Sequence, residues 1–324
     1  MVIPLPKGVR GLRAQAVSVR TRRDYRAGFL LFREFILRHF NVTIDRSTPP
    51  SAMDHYLERY TDAVYQFYDG RMRHLADRAR LGVFQELSYS YRGHLPNTGR
   101  CLTAWRRLVP PHSARPLPRG WVDLFALSWA VSGELDAGVG ALLAYEGFLR
   151  VSELLGLRVE NVLLPAADME LGRTGRCGLH LPTTKRGVNQ FVRITDPAVI
   201  RLLRWLVVRA GSPPALLFPS LTANRFNLLI HSTSLRWGLP DVFTTHSFRH
   251  GRAADLFLDD VAPDLIRRGG RWSLLFSMEP YLQAAASLTF QLRPTSPAAR
   301  LFIRLGPLLR PFLVEVASSC GASQ

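Results

Sequence analysis

His246 and Arg249 stand three residues apart near the start of the stretch best equipped for chemistry. At that spacing on a helix, two side chains leave from nearly the same face. Trp272 follows Arg249 by 23 residues, and Tyr281 follows Trp272 by 9. Upstream lie Arg150, with Glu153 three residues on, and Lys185. These residue types suit transfer of a DNA phosphodiester to a side chain. Such a transfer needs donors for the non-bridging oxygens, an acid for the departing sugar oxygen and a nucleophile for phosphorus. Arginine grips two phosphate oxygens with a planar fork and keeps its charge. Lysine or histidine can give up a proton, and a tyrosine in a cationic pocket is favoured as the attacking phenolate. Glu153 can hold the Arg150 guanidinium, and the Trp272 indole N–H can donate to phosphate.

Taken one at a time these residues are ordinary. A His-x-x-Arg pair is most often a helix face, and a Trp or Tyr is most often core. His246 and His250 sit at i and i+4, but the zinc-peptidase pattern needs a glutamate where Ser247 stands, so no metal is expected. Lys185 is more informative, because Lys7 and Lys185 are the only lysines in the chain. Neither follows a glycine, which excludes a P-loop nucleotidase. Beyond residue 120 the only tyrosines are Tyr145 and Tyr281. Tyr145 precedes Arg150 on an apolar segment, which leaves Tyr281 as the nucleophile.

The formal net charge is +17 and the pI is about 10.9, an excess that a polyanion such as nucleic acid would neutralise. Hydrophobic residues make up 47% and charged residues 21%, the balance of a folded protein and not of a disordered one. The three cysteines lack pair spacing, so neither a disulfide framework nor a zinc site is expected, and the compartment is expected to be reducing and intracellular. No signal peptide is read at the N-terminus. No run approaches the ~18 apolar residues that a membrane helix requires, so no membrane association is expected.

The elements that must position these residues fall into two parts. Residues 1–17 read as a basic tail, and 18–109 as a small helical DNA-binding domain. Apolar residues recur at three- and four-residue steps from Tyr25 to Phe40 and again from Tyr56 to Phe67. A third helix is expected over 71–91, and a short fourth one carries Leu102, Trp105 and Leu108. Arg20, Arg22, Arg23, Arg71, Arg73 and Arg78 give this part a basic side suited to DNA backbone contacts. A Pro-rich linker spans 110–120. Residues 121–298 read as a second, mainly helical domain with one small antiparallel sheet. Its helices are expected near 121–132, 135–146, 197–210, 222–236, 246–258, 262–268 and 279–288. Its strands are expected at 157–164, 177–183 and 189–195, with Lys185 and Arg186 at a hairpin tip. An apolar tail closes the chain at 299–324.

The order Arg150, Lys185, His246-x-x-Arg249, Trp272, Tyr281 resembles the catalytic set of the tyrosine recombinases, the phage integrase family. Gly147-Phe-Leu-Arg150-Val-Ser-Glu153-Leu looks like that family's first arginine box, and Thr245-His246-Ser-Phe-Arg249-His250 like its second. Gly270-Arg271-Trp272 looks like the tryptophan version of the next motif, a form shared with recombinases of eukaryotic mobile elements. The resemblance by motif covers about residues 115–290. It implies a mainly α, two-domain architecture with a small antiparallel sheet in the second domain. It further implies that Tyr281 attacks the scissile phosphate to form a 3′-phosphotyrosyl link, while Arg150 and Arg249 bind the non-bridging oxygens. Lys185 would then serve as the acid, His246 would assist proton transfer, Trp272 would donate to phosphate and Glu153 would support Arg150. The implied partners are double-stranded DNA and three further copies of the chain, in a homotetramer on paired sites linked through 299–324; no cofactor is implied. Two alternatives share the pattern: a catalytically silent DNA-binding descendant and a topoisomerase-like nicking-closing enzyme. Departures from the pattern are Pro280 beside the tyrosine and the longish segment 165–176 before the hairpin.

Overall fold

The computed structural model describes residues 17–110, 114–164, 177–184, 187–239, 243–275, 278–279, 282 and 297–321. The chain divides into two compact units, Met1–His112 and Ser113–Gln324.

Among the described residues, the first unit holds four α-helices: α1 (Val19–Phe40), α2 (Pro50–Phe67), α3 (Arg73–Glu86) and α4 (Pro96–Leu108). Ser18 starts α1 by accepting a hydrogen bond from the Thr21 N–H, and Asn41 ends it in a left-handed conformation. The apolar stripe of α1 supplies Phe29, Phe32 and Ile36 to a core shared with Met53, Leu57, Tyr60, Val83, Leu102 and Trp105. α1 and α3 meet backbone to backbone at Gly82, where a Cβ would lie 2.4 Å from the Tyr25 carbonyl oxygen. Phe67 and Leu108 continue the apolar periodicity, yet they are 80% and 68% exposed, because each ends its helix. The third helix is shorter than expected. It stops at Glu86, and the Ser88 hydroxyl accepts from the Ser90 N–H to start a separate 3-10 turn at Tyr89–Tyr91. Tyr91 closes that turn onto the α1–α2 connection by donating to the Thr48 carbonyl at 2.7 Å.

The second unit begins with an extended segment in which Leu117 is fully buried and its N–H donates to the Ser247 carbonyl at 3.0 Å. Then come α5 (Arg119–Val131) and α6 (Leu135–Glu146). Every residue of α6 from Ala137 to Glu146 is buried. A helix covered on all sides has no polar face to show, and this one is accordingly apolar around its circumference. α7 (Val151–Leu155) leads to a three-stranded antiparallel sheet, β1 (Val162–Leu163), β2 (Cys177–Thr184) and β3 (Gly187–Ile194), in the order β1-β2-β3. Its inner face buries Cys177, Leu179, Leu181, Val192 and Ile194, while Phe191, paired with His180, lies 65% exposed. The strand expected at 157–164 shrinks to two residues. The Arg158 N–H donates to the Asn161 side chain at 2.9 Å, shaping a 3-10 turn, and Leu157 and Val159 bond instead with the backbone of Leu217 and Ala215.

α8 (Pro197–Ala210), α9 (Ala223–Arg236), α10 (Thr245–Leu258) and α11 (Pro263–Gly269) complete the core. Residues 299–321 belong to α12 (Pro297–Gly321), which packs against α5 and α8 of its own unit with Leu313 buried. The architecture is mainly α with one small antiparallel sheet, as the sequence pattern predicts. The helix expected at 279–288 and the segment 165–176 lie outside the described residues, apart from Glu279 and Leu282. Among the described residues, no helix is long and apolar enough to cross a membrane.

The first unit depends on one buried carboxylate. Asp54, 3% exposed on α2, accepts from the backbone N–H groups of Asn97 and Thr98 at 2.9 Å each, and from the Thr98 hydroxyl at 2.7 Å. It thus caps the N-terminus of α4 from a neighbouring helix. Asp54→Ala leaves those donors unpaired and is expected to lower unfolding stability by about 2–3 kcal/mol in urea denaturation. A loss below about 0.5 kcal/mol would show that water replaces the carboxylate at little cost.

Candidate active site

The site is built where α6 ends and the chain reverses. Gly147 caps the helix and Phe148 takes a left-handed conformation, φ +49°, which non-glycine residues seldom adopt. The turn presents the Phe148 carbonyl to two arginines from the other end of the unit. Arg249 Nη1 donates to it at 2.7 Å and Arg271 Nη2 at 3.2 Å. Two residues on, Arg150 caps α7. Its N–H donates to Glu153 Oε2 at 3.0 Å, and its Nη1 donates to Oε1 at 2.5 Å. The same Oε2 accepts from Arg271 Nη2 at 2.6 Å. Burial opposes the ionisation of Glu153, but the Arg150 N–H and the charges of Arg271 and Arg150 outweigh it and hold the carboxyl below its usual range.

Arg249 reaches the site from α10, which Thr244 starts by accepting from the His246 N–H. Only 2% exposed, it also donates through Nη2 to the Gly270 carbonyl. Its guanidinium lies 4.6 Å from the centroid of the Trp272 ring, a cation–π contact within a desolvated setting. Trp272 in turn meets Phe148 edge to face at 5.8 Å. The tryptophan ring covers Gly270 so closely that a Cβ there would fall 1.6 Å from it, and only glycine fits. Phe148 and Trp272 share a small separate core with Ala253, Ile266, Met278 and Leu282.

His246 is exposed on the first turn of α10 and stacks on His250 at 5.9 Å. His250 is buried, and its Nδ1–H donates to the Ala114 carbonyl at 2.9 Å. Burial pushes its pKa down to about 4; the Ala114 bond opposes this shift, and the charges of His246 and Arg249 add to it. Tyr145 is fully buried and donates to the Asp255 carboxylate. Burial and that carboxylate raise its pKa well above 10, so it stays a phenol and serves the core.

The fold therefore brings Arg150, Glu153, Arg249 and Trp272 into one cluster, with His246 on the helix that carries Arg249. Lys185, Arg186, Pro280 and Tyr281 lie outside the described residues. Of the proposed DNA-contacting arginines, Arg20, Arg23 and Arg71 are exposed on the first unit, and Arg22 is partly buried. Arg73 pairs with Asp77 at 3.4 Å and Arg78 with Asp24 at 3.7 Å.

Sequence reasoning missed Arg271. It reads there as a spacer between Gly270 and Trp272, and nothing in the sequence signals its left-handed φ of +56° or its reach to Glu153. It also missed the adjoining cleft of about 410 Å³, lined by Gln190, Phe191, Arg268, Arg271, Trp272 and Ser273. Two guanidinium groups, Arg150 and Arg271, thus share the Glu153 carboxylate, and a third, Arg249, meets Arg271 at the Phe148 carbonyl. That arrangement carries excess positive charge in a partly desolvated place and is suited to an anion with several oxygens.

Residues 134–287 match the phage integrase family. Among solved structures, the chain is similar to the XerH site-specific recombinase bound to palindromic difH substrate in a post-cleavage complex. Identity there is 17%, over 86% of this chain and 81% of that one, with a TM-score of 0.56. The XerH pre-cleavage complex gives 14% identity over 82% and 79% with a TM-score of 0.50. The XerA recombinase gives 17% over 88% and 96% with a TM-score of 0.42. At such identities the XerH likeness establishes the fold. No curated protein sequence matches the chain.

The buried His250 yields a pH dependence of stability. Its folded pKa, about 4, lies below the ordinary 6.5, so between these values the unfolded chain binds a proton that the folded chain refuses. Stability is then expected to fall as pH drops from 6.5 towards 4, by on the order of 3 kcal/mol from this residue. His250→Gln, which keeps a donor for Ala114, is expected to flatten the profile in urea unfolding at pH 7, 6 and 5. Parallel profiles for the two proteins would mean that His250 is not the group responsible.

Proposed function

We propose that this chain, whose residues 134–287 match the phage integrase family, is a site-specific DNA recombinase that cuts and rejoins strands through a covalent phosphotyrosyl intermediate. The observation that carries the reading is the arginine cluster. Arg249 is buried and Arg150 half-buried; Arg150 binds Glu153, Arg249 binds the Phe148 carbonyl, and Arg271 joins the two by binding both. Double-stranded DNA is the substrate, in keeping with the net charge of +17 and the exposed arginines of the first unit.

In this reading Arg150 and Arg249 hold the non-bridging oxygens of the scissile phosphate, where negative charge grows as phosphorus becomes five-coordinate. Trp272 packs under Arg249 and offers its indole N–H to phosphate. The Tyr281 oxygen attacks phosphorus, the bond to the 5′ oxygen breaks, and Lys185 protonates that oxygen as it leaves. His246, exposed beside the cluster, assists proton transfer. A 5′-hydroxyl from a partner strand then attacks phosphorus in the 3′-phosphotyrosyl link, giving up its proton as the bond to the Tyr281 oxygen breaks; a phosphodiester is restored and Tyr281 leaves as the protonated phenol. The chemistry conserves bond energy, so it needs no cofactor.

Incubated with nicked duplexes carrying candidate sites, the protein is expected to form a covalent adduct that resists denaturation. Tyr281→Phe is expected to abolish the adduct while leaving duplex affinity within about threefold, since only one hydroxyl is removed. An adduct that survives this substitution would sink the assignment. DNA binding without any wild-type adduct would instead indicate a silent descendant.

Recombination also requires four protomers on two sites, which we assign to exchange of residues 299–324 between copies. Deletion of these residues is expected to abolish joining of two sites in a gel assay while single-site cleavage persists. A truncated protein that still joins two sites would refute the exchange.

A further inference from the structure

We infer that Arg271 is a positioning residue for the phosphate grip, acting through Glu153 on Arg150. This rests on the reading of Arg150 as a phosphate ligand. The geometry separates the two arginines. The side chain of Arg271 is 7% exposed and that of Arg150 16%. Both terminal nitrogens of Arg271 bond inward, Nη2 to Glu153 Oε2 at 2.6 Å and to the Phe148 carbonyl at 3.2 Å, Nη1 to the Gly147 carbonyl at 3.3 Å, while its Nε is buried without a hydrogen-bond partner among the described residues. Arg271 is therefore a brace and not a second hand on the substrate.

What the brace does follows from the two oxygens of one carboxylate. Oε1 takes the Arg150 side chain, while Oε2 takes the Arg150 N–H and Arg271. With Oε2 occupied, Glu153 engages the Arg150 fork through one oxygen only, which leaves the rest of the fork for phosphate. Were Arg271 absent, Oε2 would be open to the same guanidinium, and a two-oxygen pair with Glu153 would compete directly with the substrate. Arg271 also ties the Gly270–Trp272 turn to the Gly147–Phe148 turn through the backbone. It thereby fixes the distance between the two parts of the chain that carry Arg150 and Trp272. Its left-handed backbone, an unfavourable conformation for arginine, is what aims the side chain back across the site.

The test compares Arg271→Gln and Arg271→Lys with the wild type in single-turnover cleavage of a nicked duplex, alongside duplex affinity and thermal unfolding. Arg271→Gln is expected to slow adduct formation about 10–100-fold at saturating DNA, the scale of a misplaced reacting group, with affinity within about threefold. Arg271→Lys keeps a charge on Oε2 and is expected to recover much of that loss. The proposal is overturned if Arg271→Gln cleaves within about threefold of wild type, if its affinity falls in step with its rate, or if the lysine variant is no faster than the glutamine one. Should Arg271→Gln fail to fold, Arg271→Ala takes its place on the same terms: slower cleavage at unchanged affinity supports the brace, and wild-type speed overturns it. A wild-type protein that forms no adduct overturns the recombinase reading and the brace with it. A normal wild-type adduct with an unaffected Arg271→Gln overturns the brace alone.

Discussion

Guanidinium groups taken out of water must find oxygen atoms, and each must tolerate the others nearby. In this protein that constraint falls on Glu153 and the carbonyl of Phe148. One carboxylate holds Arg150 and Arg271, and one carbonyl holds Arg271 and Arg249. An isolated buried charge costs several kcal/mol, so the cluster persists only because these oxygens are well placed. Their placement explains local features that would otherwise look like defects. Phe148 adopts a left-handed conformation so that its carbonyl faces the arginines, and Gly270 lacks a side chain so that Trp272 can close over it. Glu153 offsets only part of the charge of these arginines, so the cluster stays net positive.

The scaffold serves that cluster by rigidity. α6 is buried on every side and ends at the turn that bears Phe148, so the turn inherits the fixity of the core. α10 delivers Arg249 buried and His246 exposed, with His250, stacked on His246, anchored to the Ala114 carbonyl. Held in this way, the arginines are fixed in place before any ligand arrives, the condition under which hydrogen-bond donors stabilise developing charge most. The small separate core around Trp272 ties Met278 and Leu282 to the same place, which links the pocket to the stretch that bears Tyr281 in sequence.

The Tyr145–Asp255 pair shows why tyrosine chemistry depends on surroundings. Two tyrosines follow the linker, and a reading of residue types alone has to choose between them by order. The structure gives the physical ground for setting Tyr145 aside: a phenol buried against a carboxylate is held protonated and cannot become a nucleophile.

Residue type and spacing were enough to reveal the helical periodicity of both units, the β2–β3 hairpin and the Arg150–Glu153 pair. Each of these is a local pattern, legible because it depends on neighbours within about one turn or one hairpin. The same holds for Arg150 and Arg249, which spacing and motif picked out and which the fold brings into one cluster. Where locality ended, so did the reading. The strand expected at 157–164 gave way because its backbone bonded to Leu217 and Ala215, and Phe67 and Leu108 kept the apolar rhythm but missed the core. Arg271 was hidden most completely: its partners, Gly147, Phe148 and Glu153, lie more than 110 positions away in sequence. Sequence determined which groups could grip a phosphate. Only the tertiary structure decided how one carboxylate is shared among them, because buried charges are balanced by neighbours in space, whatever their order along the chain.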